Sequence, residues 1–220
     1  MSKKFYVTTP IYYVNDKPHI GHAYTTIAAD VLARYHRQKG DDVYFLTGTD
    51  EHGAKVAESA QKAGLEPQAF CDQNSALFKD AFKTLDISFD QFIRTTDKRH
   101  EQAVQKFLQK VFDHGDIYEG IYEGLYCVGC EKFLTERELV DGKCPDHKVA
   151  PQQLKEKNYF FRLKSYLPKI QSLIEKNQIR ILPNNKKNEV LGLFKQGLED
   201  FSVSREKVTW GIPLPFDKKQ

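Results

Sequence analysis

Two apolar runs, Phe5-Tyr6-Val7-Thr8-Thr9 and Val43-Tyr44-Phe45-Leu46-Thr47, flank one stretch whose apolar residues recur every 3.6 positions. That stretch begins near Ala23, carries Ile27, Ala28, Val31, Leu32 and Tyr35, and stops at Gly40, where a helix would close on a C-terminal glycine. Strand, helix, strand at this spacing predicts parallel pairing with a right-handed crossover. In such a unit, ligands bind at the carboxyl ends of the strands. The first strand leads into Pro18-His19-Ile20-Gly21-His22 and the second into Gly48-Thr49-Asp50-Glu51-His52-Gly53, so both segments should face one crevice.

The first segment reads as a phosphate site. A helix start offers unpaired N–H groups and a partial positive charge. His19 and His22 add directional donors, and Gly21, without a Cβ, lets a flat ring or a phosphate approach the backbone. A His-x-x-His at a helix start is by itself more often only a capped, polar helix entry, and the strand ends around it are what point to chemistry.

Two further helices are predicted over 54–63 and 67–85, then a strand at Gln91-Phe92-Ile93-Arg94-Thr95. Thr96 is the expected N-cap of a helix carrying Val104, Phe107, Leu108, Val111 and Phe112 and ending at Gly115. This α/β order matches one half of a doubly wound nucleotide-binding fold. The texture changes near Asp116. Ile117-Tyr118-Glu119-Gly120 repeats at once as Ile121-Tyr122-Glu123-Gly124, which reads as short strands and turns. Cys127-Val128-Gly129-Cys130 and Cys144-Pro145-Asp146-His147 follow as a pair of knuckles. Each x-x spacing lets a tight turn present two ligands to one tetrahedral zinc, and a full set of four implies a closed, structural site. The alternative is unpaired cysteines near a surface histidine. Cys71, alone on a helical pattern, is expected to be a buried apolar residue. Beyond Asn158 come a short strand at Tyr159-Phe160-Phe161 and helices over 166–174 and 190–198, with Lys186 and Lys187 on a solvated face.

With 33 basic and 30 acidic side chains the net charge is +3, too slight to argue for or against nucleic acid. No run of 18 apolar residues spans a membrane, and the apolar run after Met1-Ser2-Lys3-Lys4 is too short for a signal peptide, so a cytoplasmic protein is expected. In that reducing compartment cysteines serve as ligands or free thiols rather than disulfides.

Thr9-Pro10-Ile11-Tyr12-Tyr13-Val14-Asn15, Pro18-His19-Ile20-Gly21-His22 and Gly48-Thr49-Asp50-Glu51-His52-Gly53, in that order and spacing, resemble the start of a class I methionyl-tRNA synthetase, and the resemblance runs to about residue 216. It implies the first half of a Rossmann-like catalytic domain over 1–116, a connective-peptide insertion with a zinc knuckle over 117–200, and a return segment over 201–220. It implies ATP-dependent activation of methionine and transfer to tRNA. His19 and His22 would act on the ATP phosphates, with Gly21 against adenine and Asn15 at the nucleotide. Asp50 would bind the methionine ammonium, Arg205 would hold that aspartate, and Ile11 and Tyr13 would line the thioether pocket. An ordinary N-cap before the Gly53 helix is the competing role for Asp50. Cys127, Cys130, Cys144 and His147 would bind structural Zn²⁺, and ATP would arrive with its Mg²⁺. The family's Lys-Met-Ser-Lys-Ser loop does not occur in these 220 residues, which end on Asp217-Lys218-Lys219-Gln220. The chain therefore reads as an amino-terminal fragment, inactive alone. Two other readings are a zinc-containing RNA-binding module that displays Tyr118, Tyr122 and Tyr126, and a small nucleotidyltransferase using His-x-Gly-His.

Overall fold

The computed structural model describes residues 2–130, 132–134, 136–206 and 208–217, and not the side chains of residues 122, 132, 133 and 137. The chain forms two compact units, one of residues 1–105, 126–152 and 208–212, the other of residues 106–125, 153–207 and 213–220. Lys218-Lys219-Gln220, part of the expected return segment, lie outside the described residues.

The first unit opens with β1 (Lys4–Thr8), β2 (Tyr12–Tyr13), α1 (Ile20–Gln38) and β3 (Asp42–Asp50). It continues with α2 (Ala54–Lys62), α3 (Pro67–Thr84), β4 (Gln91–Arg94) and the start of α4 (Lys98–Asp113). The strands are all parallel, with β3 paired to β1, β2 and β4. β4 overlaps β1 at Leu46 and β2 at Thr49, so β1 and β2 share the opposite edge of β3 as two pieces of one interrupted strand. The break over residues 9–11 carries Thr9, whose buried hydroxyl bonds that of Thr47 at 2.7 Å. This is the expected crossover unit, with β3 running on to Asp50 rather than stopping at Thr47.

The helix α1 differs from its sequence pattern in which face is buried. Thr26, Ala29, Asp30 and Ala33 are buried, whereas Ile27, Val31, Leu32 and Tyr35 lie 41–59% exposed. The small side chains Ala29 and Ala33 let the helix close on Phe45 of β3. Asp30 is tolerated there because it accepts hydrogen bonds from the Ser88 amide (2.7 Å), the Ser88 hydroxyl (2.6 Å) and Arg34 Nε (2.7 Å). A second cluster joins Tyr12, Val14, Val56, Phe78, Phe82 and Cys71, which is buried as expected. Each large apolar side chain so buried stabilises by roughly 1.5–3 kcal/mol over leaving it in water.

A further sheet follows, most of it in the second unit. The chain continues through β5 (Ile117–Cys127), β6 (Lys132–Leu134), β7 (Gln152–Phe161), α5 (Leu163–Glu175), α6 (Asn184–Gln196) and β8 (Phe201–Ser202). The strand order is β6-β5-β7-β8, with β7 and β8 antiparallel. The twofold repeat at 117–124 is one continuous strand, not short strands with turns: its glycines sit within the sheet, where a Cβ on Gly120 would press on Phe160. Likewise β7 is longer than its aromatic tip, and α6 begins at Asn184 rather than Val190. Ile117, Tyr159 and Leu214 form this unit's core with Phe112 and Phe216, whose rings stack at 4.1 Å.

Candidate active site and metal centre

The carboxyl end of the β1–β2 edge and the start of α1 enclose a cleft of about 410 Å³ lined by Ile11, Tyr12, Tyr13, Asn15, Asp16, Lys17, His19 and His22. His19 is the N-cap of α1, and its Nδ1 accepts the Gly21 N–H at 3.1 Å. His22 Nδ1 in turn accepts the His19 N–H at 3.1 Å, closing a capping box made of two imidazoles. Their rings stack at 3.8 Å. With both Nδ1 atoms accepting, the neutral rings carry their protons on Nε2, so each has one N–H donor left for a ligand. Burial, then the neighbouring His19, lowers the pKa of His22 below its ordinary value.

The helix start is less open than the sequence implies. Gly21 N–H is taken by His19, and the His22 N–H bonds the His19 carbonyl at 3.0 Å. A Cβ on Gly21 would come within 2.9 Å of the His19 ring, so the glycine makes room for that imidazole itself.

Asp50 is the last residue of β3, in register with Tyr13 of β2. The competing role of an N-cap does not hold, because α2 is capped by Gly53 with no side-chain hydrogen bond. Arg205 belongs to the second unit.

Sequence reasoning assigned nothing to Glu51, which proves to be a fully buried carboxylate. It receives the Thr49 hydroxyl (2.5 Å), Arg94 Nε and Nη2 (2.8 and 2.9 Å) and the Thr96 hydroxyl (2.5 Å). Thr96 is thus spent on Glu51 and does not cap α4, which begins at Lys98. Hydrogen bonding to Glu51 is the main cause raising the pKa of Arg94. Two more missed residues orient His22. Tyr12 Oη bonds Thr26 Oγ1 at 2.8 Å, Thr26 donates to the His22 carbonyl at 2.9 Å, and the Tyr12 ring lies 4.8 Å from the imidazole. A signal existed for Glu51: Thr47, Thr49 and Glu51 alternate on one strand face, which places the glutamate with buried threonines.

The knuckle ligand atoms of Cys127, Cys130, Cys144 and His147 all lie within 4.8 Å of one another. Cys130 and Cys144 sulfurs are 3.4 Å apart, too far for a disulfide, and His147 Nδ1 is 3.2 Å from Cys130 and 3.9 Å from Cys127 and Cys144. A tetrahedral ion with bonds of about 2.3 Å to sulfur needs donors roughly 3.5–4 Å apart, so the set fits one metal ion. Gly129 admits this arrangement, because a Cβ there would collide with the His147 ring. Two of the three tyrosines named for an RNA-binding surface have partners within the protein. Tyr126 is buried, Tyr118 bonds Asp200 at 3.0 Å under the Arg162 guanidinium, and the Tyr122 side chain lies outside the described residues.

A family model described as class I tRNA synthetases (M) matches residues 5–154 and 147–220. The methionine–tRNA ligase of Caldanaerobacter subterraneus subsp. tengcongensis is 52% identical over 219 residues, covering 100% of this chain and 34% of that protein. That of Streptomyces coelicolor is 49% identical over 227 residues, covering 99% and 42%. Mycobacterium tuberculosis methionyl-tRNA synthetase, in complex with methionyl-adenylate, matches at a TM-score of 0.93 and 42% identity over 99% of this chain and 43% of that one. The chain thus spans about a third to two-fifths of the length of these relatives. On the strength of these matches over its whole length, the chain belongs to the methionyl family of class I tRNA synthetases.

Proposed function

We propose that these residues supply the ATP-binding half of a methionine–tRNA ligase, which condenses methionine with ATP and passes the methionyl group to tRNA in the cytoplasm. The likeness to a synthetase in complex with methionyl-adenylate, together with the cleft that His19 and His22 line, carries the reading. In the reaction a methionine carboxylate oxygen attacks the α-phosphorus of Mg²⁺-bound ATP, the bond to pyrophosphate breaks, and its electrons leave on the β-phosphate. His19 and His22 donate to the phosphate oxygens. Asn15 and Gly21 serve the nucleotide, Ile11 and Tyr13 line the thioether pocket, Asp50 binds the ammonium, and Arg205 is its companion by family resemblance. We assign 1–116 to the nucleotide half-domain, 117–200 to the insertion and 201–220 to the return segment.

The knuckle would hold Zn²⁺ through Cys127, Cys130, Cys144 and His147, where its chemistry is structural. Burial pushes the Cys130 thiol up to about 12, whereas hydrogen bonding from the His147 backbone brings Cys144 down to about 6. Crowded thiols do not ionise together without a cation, and the ion supplies that charge.

Alone, the chain is expected to bind nucleotide weakly and not turn over. Cations that meet the charge growing on pyrophosphate are commonly worth ~3 kcal/mol or more each, and the lysine loop is not among these residues. The outward apolar face of α1, with Ile20 at 87% and Tyr24 at 79% exposure, supports a further packing partner, and the part of the relatives' length that this chain does not span is the occupant we assign to it. Methionine-dependent exchange of labelled pyrophosphate into ATP tests the proposal. Exchange should be absent with the chain alone and appear when the downstream half is supplied in trans. Full exchange by the chain alone would overturn the half-site reading, and none in either case would count against the activity.

A further inference from the structure

We propose that Glu51 and Arg94 are positioning residues for Asp50, holding the strand-end segment so that the Asp50 carboxylate meets a bound amino acid in one orientation. The inference rests on the reading of Asp50 as the ammonium-binding carboxylate.

Neighbouring residues of an extended strand point to opposite faces, so fixing positions 49 and 51 fixes the direction of 50. Both are fixed here. Thr49 Oγ1 donates to Glu51 Oε1 at 2.5 Å and lies 3.3 Å from the Ser75 hydroxyl of α3. The Glu51 carboxylate then takes both arms of the Arg94 guanidinium and the Thr96 hydroxyl. The same Nη2 of Arg94 also donates to Asp72 Oδ1 at 2.6 Å. The backbone is pinned as well. Glu51 N–H donates to Thr95 Oγ1 at 2.9 Å, its carbonyl accepts Trp210 Nε1 at 2.5 Å, and Gly53 N–H returns to the Trp210 carbonyl at 3.0 Å.

A carboxylate is a poor choice here for stability alone. Buried ion pairs contribute little net stability compared with well-packed apolar residues, whereas removing one partner leaves an uncompensated charge. What a carboxylate provides that an amide does not is acceptance at both oxygens, so that one side chain ties β3, β4 and the following turn together. Nothing in the proposed chemistry uses Glu51 directly. Its connections anchor the segment that carries Asp50 to Arg94, Thr95, Thr96 and Trp210.

The chain has a single tryptophan, so its indole N–H gives one resonance that reports on the Glu51 carbonyl. The test compares the chain with E51Q, R94M, R94K, the double variant E51Q/R94M and D50N, following that resonance and L-methionine affinity by NMR titration at low temperature. E51Q and R94M should move the indole signal and weaken methionine at least tenfold while still folded. R94K, which keeps the charge and loses the fork, should lose at least threefold, and the double variant should recover part of the R94M loss. D50N should abolish methionine binding and leave the indole signal in place. Folded E51Q, R94M and R94K with methionine affinity within twofold and an unmoved indole signal would overturn the proposal, whatever their melting temperatures. Should the parent chain or D50N show that methionine is not read through Asp50, that reading fails separately. The indole signal still decides whether the pair sets the segment, and an unmoved signal overturns the inference.

Discussion

The strand-end cleft and the cysteine knuckle both depend on short polar segments, yet they are ordered by different means. The cleft segments are anchored by the chain itself: Tyr12 and Val14 sit in the cluster with Phe78 and Phe82, and Glu51 ties the end of β3 to β4. The knuckle's apolar cluster is Cys127, Leu134 and Cys144 with Cys130 and Leu139, so most of its members are the ligand candidates themselves. One site is organised by burial before any ligand arrives. Among the described residues the other holds little apolar surface beyond those side chains, and we propose that a bound ion supplies its folding free energy.

The largest expected effect follows from removing that ion. Structural zinc sites of this size contribute on the order of 10 kcal/mol, so dialysis against a strong chelator should unfold the knuckle locally. Its backbone bonds from Val140 to Lys143 and from Cys144 to Val149 should lose hydrogen-exchange protection, while the β3 amides keep theirs. Metal analysis before dialysis should give one equivalent of zinc. Protection lost equally from β3 would break the comparison, because the cleft would then depend on the ion too.

The next effect sharpens the other side. Phe78 is fully buried, with its ring 5.0 Å from that of His22 and 5.9 Å from that of Tyr12. Phe78→Ala should cost ~3–5 kcal/mol in denaturant unfolding through lost burial and the cavity left behind. Zinc content should not change. A cost below roughly 1 kcal/mol would mean that the cluster does not hold the cleft, since core truncations of this size are normally much larger.

The two regions also differ in how much of them is legible in the sequence. Cys127, Cys130, Cys144 and His147 are brought together by two turns whose spacing is itself the geometry, so local sequence suffices. The crossover unit is equally visible, because its period and punctuation are local. What escaped reading is long-range. Arg94 meets Glu51 across 43 residues, and no pattern near either announces the pair. The helix α1 was legible as a helix but not in its orientation. Its apolar stripe marks a face that stays exposed among the described residues, whereas Ala29, Ala33 and a hydrogen-bonded Asp30 face the sheet. Periodicity reports that a face exists and is silent about what covers it.

The smallest effect concerns protons. In the cleft, His22 Nδ1 must remain an acceptor for the His19 N–H, and protonation would remove that lone pair and place a second donor against the first. Burial and the adjacent His19 ring both disfavour the imidazolium, so the folded pKa lies below the ordinary value of 6.5. The unfolded chain therefore binds the proton more tightly. Linkage gives the sign: the contribution of His22 to stability is complete above pH 6.5 and falls as the pH drops through 6.5 towards the folded pKa. Over the same interval the first turn of α1 should lose its capping box. An NMR titration of the histidine ring protons, with His22 assigned by a His22→Asn variant, should place its midpoint below 6.5, and the His19 amide, which His22 Nδ1 accepts, should lose hydrogen-exchange protection in step. A midpoint at or above 6.5 would mean that the imidazolium is welcome in the cleft, and that the start of α1 is held by charge rather than by the neutral, mutually capped pair.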